Sequence, residues 1–279
     1  MNAMQFYKPA TLKEASELLA KPNHLAIAGG TDLVVKLRNG LFPNAVALVD
    51  ISALPLKTIK KEGERLIIGS GCTMSQVIAD PLVNEYFPAL AKAASTVGAA
   101  QIRNAATIGG NVANASPAGD TIPALYSLEA QVNTAGNGGQ RSIPIDSFFT
   151  GPGRSVLQAG ELIESFALPL RHTAGAFLKL GERRAHAISK INMAVSTYND
   201  GQVRYRIAIG SAAPTVLRCH KAEELLEKSA QLSESILQQA AELACETAQP
   251  ISDVRSSRSY RKKMAGVLLT RALKAISAS

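Results

Sequence analysis

Short apolar runs that stop on glycine or small polar residues dominate the first half of this chain. The opening reads β-α-β. A helix capped by Thr11 runs through Leu18 and Leu19 and ends at Lys21-Pro22-Asn23. Residues 25–28 form a short buried strand leading directly into Ala28-Gly29-Gly30-Thr31-Asp32. Residues 33–37 predict a helix broken by Asn39-Gly40, and 46–49 a second apolar strand. This first glycine turn lies at the carboxyl end of a strand, where ligands bind in small α/β units.

From about residue 56 the pattern changes. Residues 65–68 read as a strand, 75–79 as the start of a helix and 89–97 as a stronger helix. Gln101-Ile102-Arg103-Asn104 then leads to a second glycine turn, Thr107-Ile108-Gly109-Gly110-Asn111. Residues 123–128 predict a short helix, 136–139 a loose hairpin turn and 148–153 a loop. Residues 161–168 predict a strand closed by Pro169. In the last third, strands at 177–180, 192–198 and 203–209 surround the Asn199-Asp200-Gly201 turn, followed by amphipathic helices at 222–247 and 257–275. The expectation is an α+β protein. A domain at 1–170 has subdomains of about 1–55 and 56–170, and a C-terminal α+β domain at 171–279 carries a three-stranded antiparallel sheet.

The two glycine turns carry the candidate chemistry. Glycine permits unusual φ angles and puts no Cβ in the way. Successive N–H groups in such a turn can form an anion-binding nest. Two turns far apart in sequence could grip one diphosphate from two sides, the arrangement of a dinucleotide site. Thr31, Thr107 and Asn111 add side-chain hydrogen bonds. Asp120, an acceptor carboxylate, suits a sugar hydroxyl rather than a phosphate, or the N-cap of the helix containing Pro123.

Composition narrows the partners. The 279 residues are 46% hydrophobic and 19% charged, ordinary for a globular protein. No stretch approaches the ~20 apolar residues of a membrane span, and MNAMQFYKPA lacks the pattern of a secretory signal. A cytoplasmic location is expected, with export alongside a signal-bearing partner left open. The net charge is +8, but the basic residues are spread out without a nucleic-acid motif, so nucleic acid is not an expected partner. The densest cluster, 255–263, reads as a solvated face or a surface for acidic partner subunits. Cys72, Cys219 and Cys245 are too few and scattered for a disulfide framework or an iron–sulfur cluster. The four histidines show no metal-ligand spacing, and neighbouring Cys219 and His220 would face apart on a strand. No catalytic acid–base pair and no metal site is expected.

The segments AIAGGTDL (26–33), GAAQIRNAATIGGNVANASPAGD (98–120), ELIESFALP (161–169), FLKLGERRAHAISKINMA (177–194) and SDVRSSRSYRKKMAGVLL (252–269) occur in order over nearly the whole chain. Together they resemble the FAD-binding medium subunit of the molybdenum hydroxylases, the family of xanthine dehydrogenase, nicotinate and aldehyde oxidoreductases and aerobic carbon monoxide dehydrogenase. The resemblance implies a two-subdomain FAD domain of the PCMH/vanillyl-alcohol-oxidase-like type. It places cofactor contacts at Ile27, Ala28, Gly29, Gly30, Thr31, Asp32 and Leu33, at Val97 and Gly98, at Thr107, Ile108, Gly109, Gly110, Asn111 and Ala113, and at Asp120, Ile163 and Lys179. It further implies a small partner subunit with two [2Fe-2S] clusters and a large one with molybdopterin-bound molybdenum. The assembly would be a heterotrimer that could itself dimerise, without membrane insertion. Electrons would reach FAD here and leave to NAD⁺, O₂, a quinone or a protein carrier. His186 and Ala187 stand where some NAD-using relatives carry acidic residues, which bears on the acceptor. A free-standing flavin oxidase and a non-redox nucleotide-binding assembly subunit remain alternatives.

Overall fold

The computed structural model describes residues 4–183 and 186–278. Met1–Ala3 of the chain start, Arg184 and Ala185 of the fourth family-like segment, and Ser279 lie outside the described residues.

The first fifty residues alternate β1 (Gln5–Tyr7), α1 (Leu12–Leu19), β2 (His24–Ile27), α2 (Leu33–Arg38) and β3 (Ala47–Asp50), and the strands form a parallel sheet in the order β1-β3-β2. Thr11 caps α1 as expected: its hydroxyl accepts from the Glu14 amide at 3.1 Å. Next come β4 (Ile59–Glu62) and β5 (Arg65–Gly69), then helices α3 (Met74–Ala79), α4 (Pro81–Tyr86), α5 (Pro88–Ser95), α6 (Ala100–Ala105), α7 (Ile108–Ala113) and α8 (Thr121–Ser127). The hairpin β6 (Gln131–Gly136) and β7 (Gly139–Pro144), the ribbon β8 (Phe149–Gly151) and β9 (Arg154–Ser155), and β10 (Leu162–Pro169) complete this part. An antiparallel sheet runs β4-β5-β10-β6-β7. Its inner residues, among them Leu66, Ile68, Val132, Phe166 and Leu168, pack with the helices in the largest hydrophobic core.

The remainder holds β11 (Ala174–Leu180), β12 (Ile191–Asn199), β13 (Val203–Gly210), β14 (Leu217–Arg218), α9 (His220–Lys228), α10 (Glu234–Thr247) and α11 (Arg258–Ser277). Side chains alternate across a strand, so the central strands serve two cores. Ile191, Met193, Val195, Ile207 and Ile209 face the three C-terminal helices. Phe177, Ala194 and Ala208 join the core of the preceding part. Both faces of this sheet are therefore covered, and the C-terminal part seats on α5 and α8.

Several local expectations change. The C-terminal sheet has four strands, because the two-residue β14 pairs with β13. Residues 222–247 are two helices: the chain leaves α9 at Ser229, and Ser233 caps α10 by accepting from the Ile236 amide. Residues 148–153 contribute to a short ribbon instead of forming an open loop. The second glycine turn is the first turn of α7: Thr107 is its N-cap, and its hydroxyl accepts from the Gly110 amide at 3.0 Å. Paired glycines masked this helix, since glycine is a poor helix former.

Candidate functional site

The two glycine motifs face each other across one cleft with two lobes. One lobe, about 340 Å³, lies between the first subdomain and the five-stranded sheet; Ile51, Ser52, Lys57, Ser70, Thr73, Asn104, Glu161, Leu162 and Ile163 contribute to its lining. The other, about 590 Å³, is lined in part by Ile27, Gly30, Thr31, Asp32, Leu33, Lys36, Phe42, Val97, Ile102, Asn111, Asn114 and Ile188. Ala28 and Gly29 from one wall and Thr107, Gly110 and Ala113 from the other border both lobes. Each volume is in the range of small-molecule sites.

The first motif brings its backbone very close to the opposite wall. A Cβ on Gly29 would stand 1.8 Å from the carbonyl oxygen of Ala105, the last residue of α6. Gly30 has φ +68°, in the left-handed region that favours glycine. The strand β2 ends at Ile27 and α2 begins at Leu33. Between them, no acceptor among the described residues takes a hydrogen from the amides of Gly29, Gly30, Thr31 or Asp32, nor from that of Leu33. Five consecutive donors are therefore available, beginning at Gly29 at the junction of the lobes and running along the larger one, a concentration of positive dipole suited to an anionic ligand.

The second motif behaves differently. The Ile108 amide donates to the Cys72 carbonyl and that of Gly109 to the Ser70 carbonyl, both at 2.9 Å. Gly110 donates to Thr107 Oγ1 and Asn111 to the Thr107 carbonyl, both at 3.0 Å. Only the Thr107 amide of this motif lacks an acceptor in the described chain. The expected two-sided grip by main-chain amides is corrected accordingly. The first loop offers the donors, and the second supplies a wall of small groups. Gly109 is required by packing, since a Cβ there would lie 2.5 Å from Ser70 Cβ.

Fourteen of the expected residues line the cleft: Ile27 through Leu33, Val97, Thr107, Gly109, Gly110, Asn111, Ala113 and Ile163. Four do not. Ile108 is fully buried in the core beneath the second motif. Gly98 turns the chain ahead of α6 at φ +48°. Asp120 and Lys179 pair with each other at 2.5 Å. Asp120 also accepts from Ser189 Oγ at 2.7 Å and Asn192 Nδ2 at 3.0 Å, while Lys179 donates to the Thr96 carbonyl at 3.0 Å. The Asp120 side chain is only 7% exposed and that of Lys179 12%, so this pair joins the two halves of the molecule behind the cleft wall. Asp120 occupies the N-cap position of α8 without a side-chain capping bond.

The cleft also contains residues that were not expected. Lys36 forms an ion pair with Asp32 at 2.7 Å and donates to Asn114 Oδ1 at the end of α7, so it ties the two walls together. Its i,i+4 spacing from Asp32 was a readable signal; its reach to Asn114 was not. Glu161 binds Arg141 in a two-pronged pair at 2.5 and 2.8 Å, and accepts from Thr134 and from the Gln158 amide. Burial pushes this carboxyl up, but those partners outweigh it and hold the pKa at about 2. A register slip in β10 between Ile163 and Ser165 makes Glu164 a bulge beside the lining residue Ile163. The buried thiols are no nucleophiles: burial pushes Cys72 up to about 11 and Cys219 to about 12. Cys219 precedes α9 and His220 begins it.

A dinucleotide has two planar ring systems joined through a diphosphate, and the cleft has two lobes joined beside Gly29, where the row of free amides begins. The residues present thus fit FAD. The family model described as the FAD binding domain in molybdopterin dehydrogenase matches residues 2–171, and that of the CO dehydrogenase flavoprotein C-terminal domain matches residues 176–276. The chain is 33% identical to the xanthine dehydrogenase FAD-binding subunit of Escherichia coli O157:H7, over 92% of this chain and 90% of that one. It is 34% identical to the nicotinate dehydrogenase FAD-subunit of Eubacterium barkeri, over 94% and 92%. A solved carbon monoxide dehydrogenase from Hydrogenophaga pseudoflava, lacking the Mo-pyranopterin moiety of its molybdenum cofactor, matches with a TM-score of 0.93 at 30% identity, over 99% of this chain and 97% of that one. The reconstituted CO dehydrogenase from Oligotropha carboxidovorans matches with a TM-score of 0.94 at 27% identity, over 99% and 98%. The chain belongs to the family of FAD-binding medium subunits of the molybdenum-containing xanthine and carbon monoxide dehydrogenases.

Proposed function

We propose that this chain is the electron-transfer flavoprotein subunit of a molybdenum hydroxylase complex. In this reading a large partner subunit oxidises the substrate at a molybdopterin centre. A small partner subunit carries electrons through two [2Fe-2S] clusters, and this chain passes them to an external acceptor. The observation that carries the reading is the run of acceptor-free amides that starts at Gly29, where the two lobes meet, and continues along the larger lobe to Leu33.

Each amide bonded to a charged phosphate oxygen contributes about 1.5–3 kcal/mol, so several suffice to retain a cofactor without a covalent link. Gly29 and Gly30 let the main chain approach the diphosphate. Thr107 and Asn111 offer polar side-chain groups, and Gly110 and Ala113 keep the opposite wall low. Ile163 and Val97 give apolar contact in separate lobes. Ile108, Gly98, Asp120 and Lys179 hold these walls from behind. FAD, when bound, supplies the redox chemistry that no side chain here offers, taking electrons singly and releasing them in pairs. The molecule divides near residue 170, with the C-terminal part contributing Ile188 to the cleft. His186 and Ala187 put no carboxylate beside Ile188, which favours an acceptor other than NAD⁺.

Among the described residues no helix is long and apolar enough to cross a membrane, and we place the complex in the cytoplasm. The purified subunit should be yellow with a flavin spectrum, and acid precipitation should release intact FAD. Colourless protein would leave a non-redox assembly role, and flavin retained in the precipitate a covalent flavin oxidase. Anaerobic reduction of the complex, followed by separate challenges with NAD⁺, O₂ and a quinone, identifies the acceptor. Rapid reoxidation by NAD⁺ would overturn the preference stated here.

A further inference from the structure

The segment that carries the free amides is held differently at its two ends. At Gly29 the main chain is wedged against the Ala105 carbonyl, with no room for a side chain. Beyond the loop, α2 is bound loosely. None of its six residues is buried; Val34 is 37% exposed and Val35 55%. The chain then leaves through Asn39-Gly40, where Gly40 has φ +70° and stands in open space. So little buried surface means low local stability, and whatever pins α2 decides whether the larger lobe stays closed.

The pin is Lys36. Its ammonium pairs with the Asp32 carboxylate at 2.7 Å and donates to Oδ1 of Asn114, the C-cap residue of α7. Lys36 and Asn114 line the larger lobe from opposite walls. Among the described residues, no other hydrogen bond joins segment 27–42 to segment 97–114. The exposed pair with Asp32 adds little stability by itself, but it orients the lysine. The bond to Asn114 is charge-assisted and is the one that spans the lobe. A lysine turned instead onto a diphosphate would leave the Asp32 carboxylate unpaired beside a dianion, a repulsion of like charges at short range. Paired as it is, Lys36 cancels Asp32 and leaves the phosphate charge to the amides.

We propose that Lys36 is a positioning residue: with Asp32 and Asn114 it forms a strap across the larger lobe, which opens for FAD to enter or leave and otherwise holds the two walls together. The proposal rests on the FAD reading above, and the test separates the two. A strap slows passage in both directions, so its loss speeds uptake and release together. Loss of a phosphate contact speeds release alone.

Full-length chain is stripped of flavin and reloaded. Uptake on mixing with FAD, and release on dilution, are followed by flavin fluorescence for wild type, Lys36→Met, Asn114→Ala and Asn114→Asp. Lys274→Met is the control, since its ion pair with Glu234 lies between α10 and α11, away from the cleft. Lys36→Met and Asn114→Ala should each speed both uptake and release about tenfold or more, with the absorption spectrum of the bound flavin unchanged. Asn114→Asp makes the far end of the strap an ion pair, so both rates should fall below wild type, and the difference should fade as salt is raised. Lys274→Met should match wild type. Slower uptake by Lys36→Met overturns the strap: with Asn114→Ala unchanged it marks a phosphate contact, and with both slowed it marks damaged walls. Wild-type rates in both variants overturn it too, as does release from Asn114→Asp at or above the wild-type rate. Wild type that takes up no FAD overturns the cofactor reading itself.

Discussion

Gly29 is the residue on which the cleft depends most directly. No side chain fits between it and the Ala105 carbonyl, so Gly29→Ala must push the amide-bearing loop away from α6. The expected result is FAD binding weakened about tenfold or more, ~1.4 kcal/mol, read by flavin fluorescence, with the secondary structure by circular dichroism intact. Unchanged affinity would mean that the loop does not hold the diphosphate. Glu161 governs an acid-sensitive part of the same cleft. Its carboxyl is depressed from 4.5 to about 2, so the bound charge stabilises the fold fully above the unfolded value and loses that contribution as pH falls through the interval between the two. Glu161→Gln should lower the melting temperature at neutral pH, and the gap from wild type should close between about pH 4.5 and 2. A gap that stays constant with pH would mean that the Arg141 pair contributes nothing through charge.

At the scale of elements, α7 is the best instance of partial legibility. The motif from Thr107 to Asn111 stood out in the chain because of its paired glycines, and residues of it do line the cleft. Its conformation was misread because Gly-Gly favours turns over helices, and the helix here is carried by close packing on Ser70, just past β5, and by the Thr107 cap. Thr107→Ala should cost about 0.5–2 kcal/mol of stability, the usual value of an N-cap, measured by urea unfolding, and Thr107→Ser should restore most of it. A cost near zero would mean the helix start is held by the Cys72 and Ser70 carbonyls alone. By contrast α1, with Thr11 before a short amphipathic run and Pro22 after it, was readable at both ends, since cap and stop signals are local.

For the whole molecule the decisive contact is the one between its two halves. Glu129 accepts from Arg171 at 2.5 Å and from Arg206 at 2.6 Å, and Glu227 bridges Arg206 to Arg204. Burial pushes the Glu129 carboxyl up, but the two guanidiniums hold it below its usual range. The Asp120–Lys179 pair lies deeper. Asp120→Asn would leave the Lys179 ammonium buried with only the Thr96 carbonyl, at a cost of about 3–5 kcal/mol. Calorimetry should show the melting temperature falling, and Asp120→Asn with Lys179→Met should recover part of the loss. A cost under about 1 kcal/mol, the level of a surface pair, would mean that water reaches this pair.

The sequence alone determined the strand-to-glycine-loop geometry at 25–32, most helices and about half of the strands, and the family. These follow from backbone propensity, hydrophobic period and ordered motifs, all of which are written within a few residues. The tertiary structure decided which donors remain for a ligand. The amides of Gly109 and Ile108 are taken by Ser70 and Cys72, whereas those from Gly29 to Leu33 are left free. It also decided that Asp120 meets Lys179 instead of facing the cleft, and that Lys36 reaches Asn114 across the larger lobe. Hydrogen-bond pairing and burial depend on which distant segments come together, and no local pattern records that.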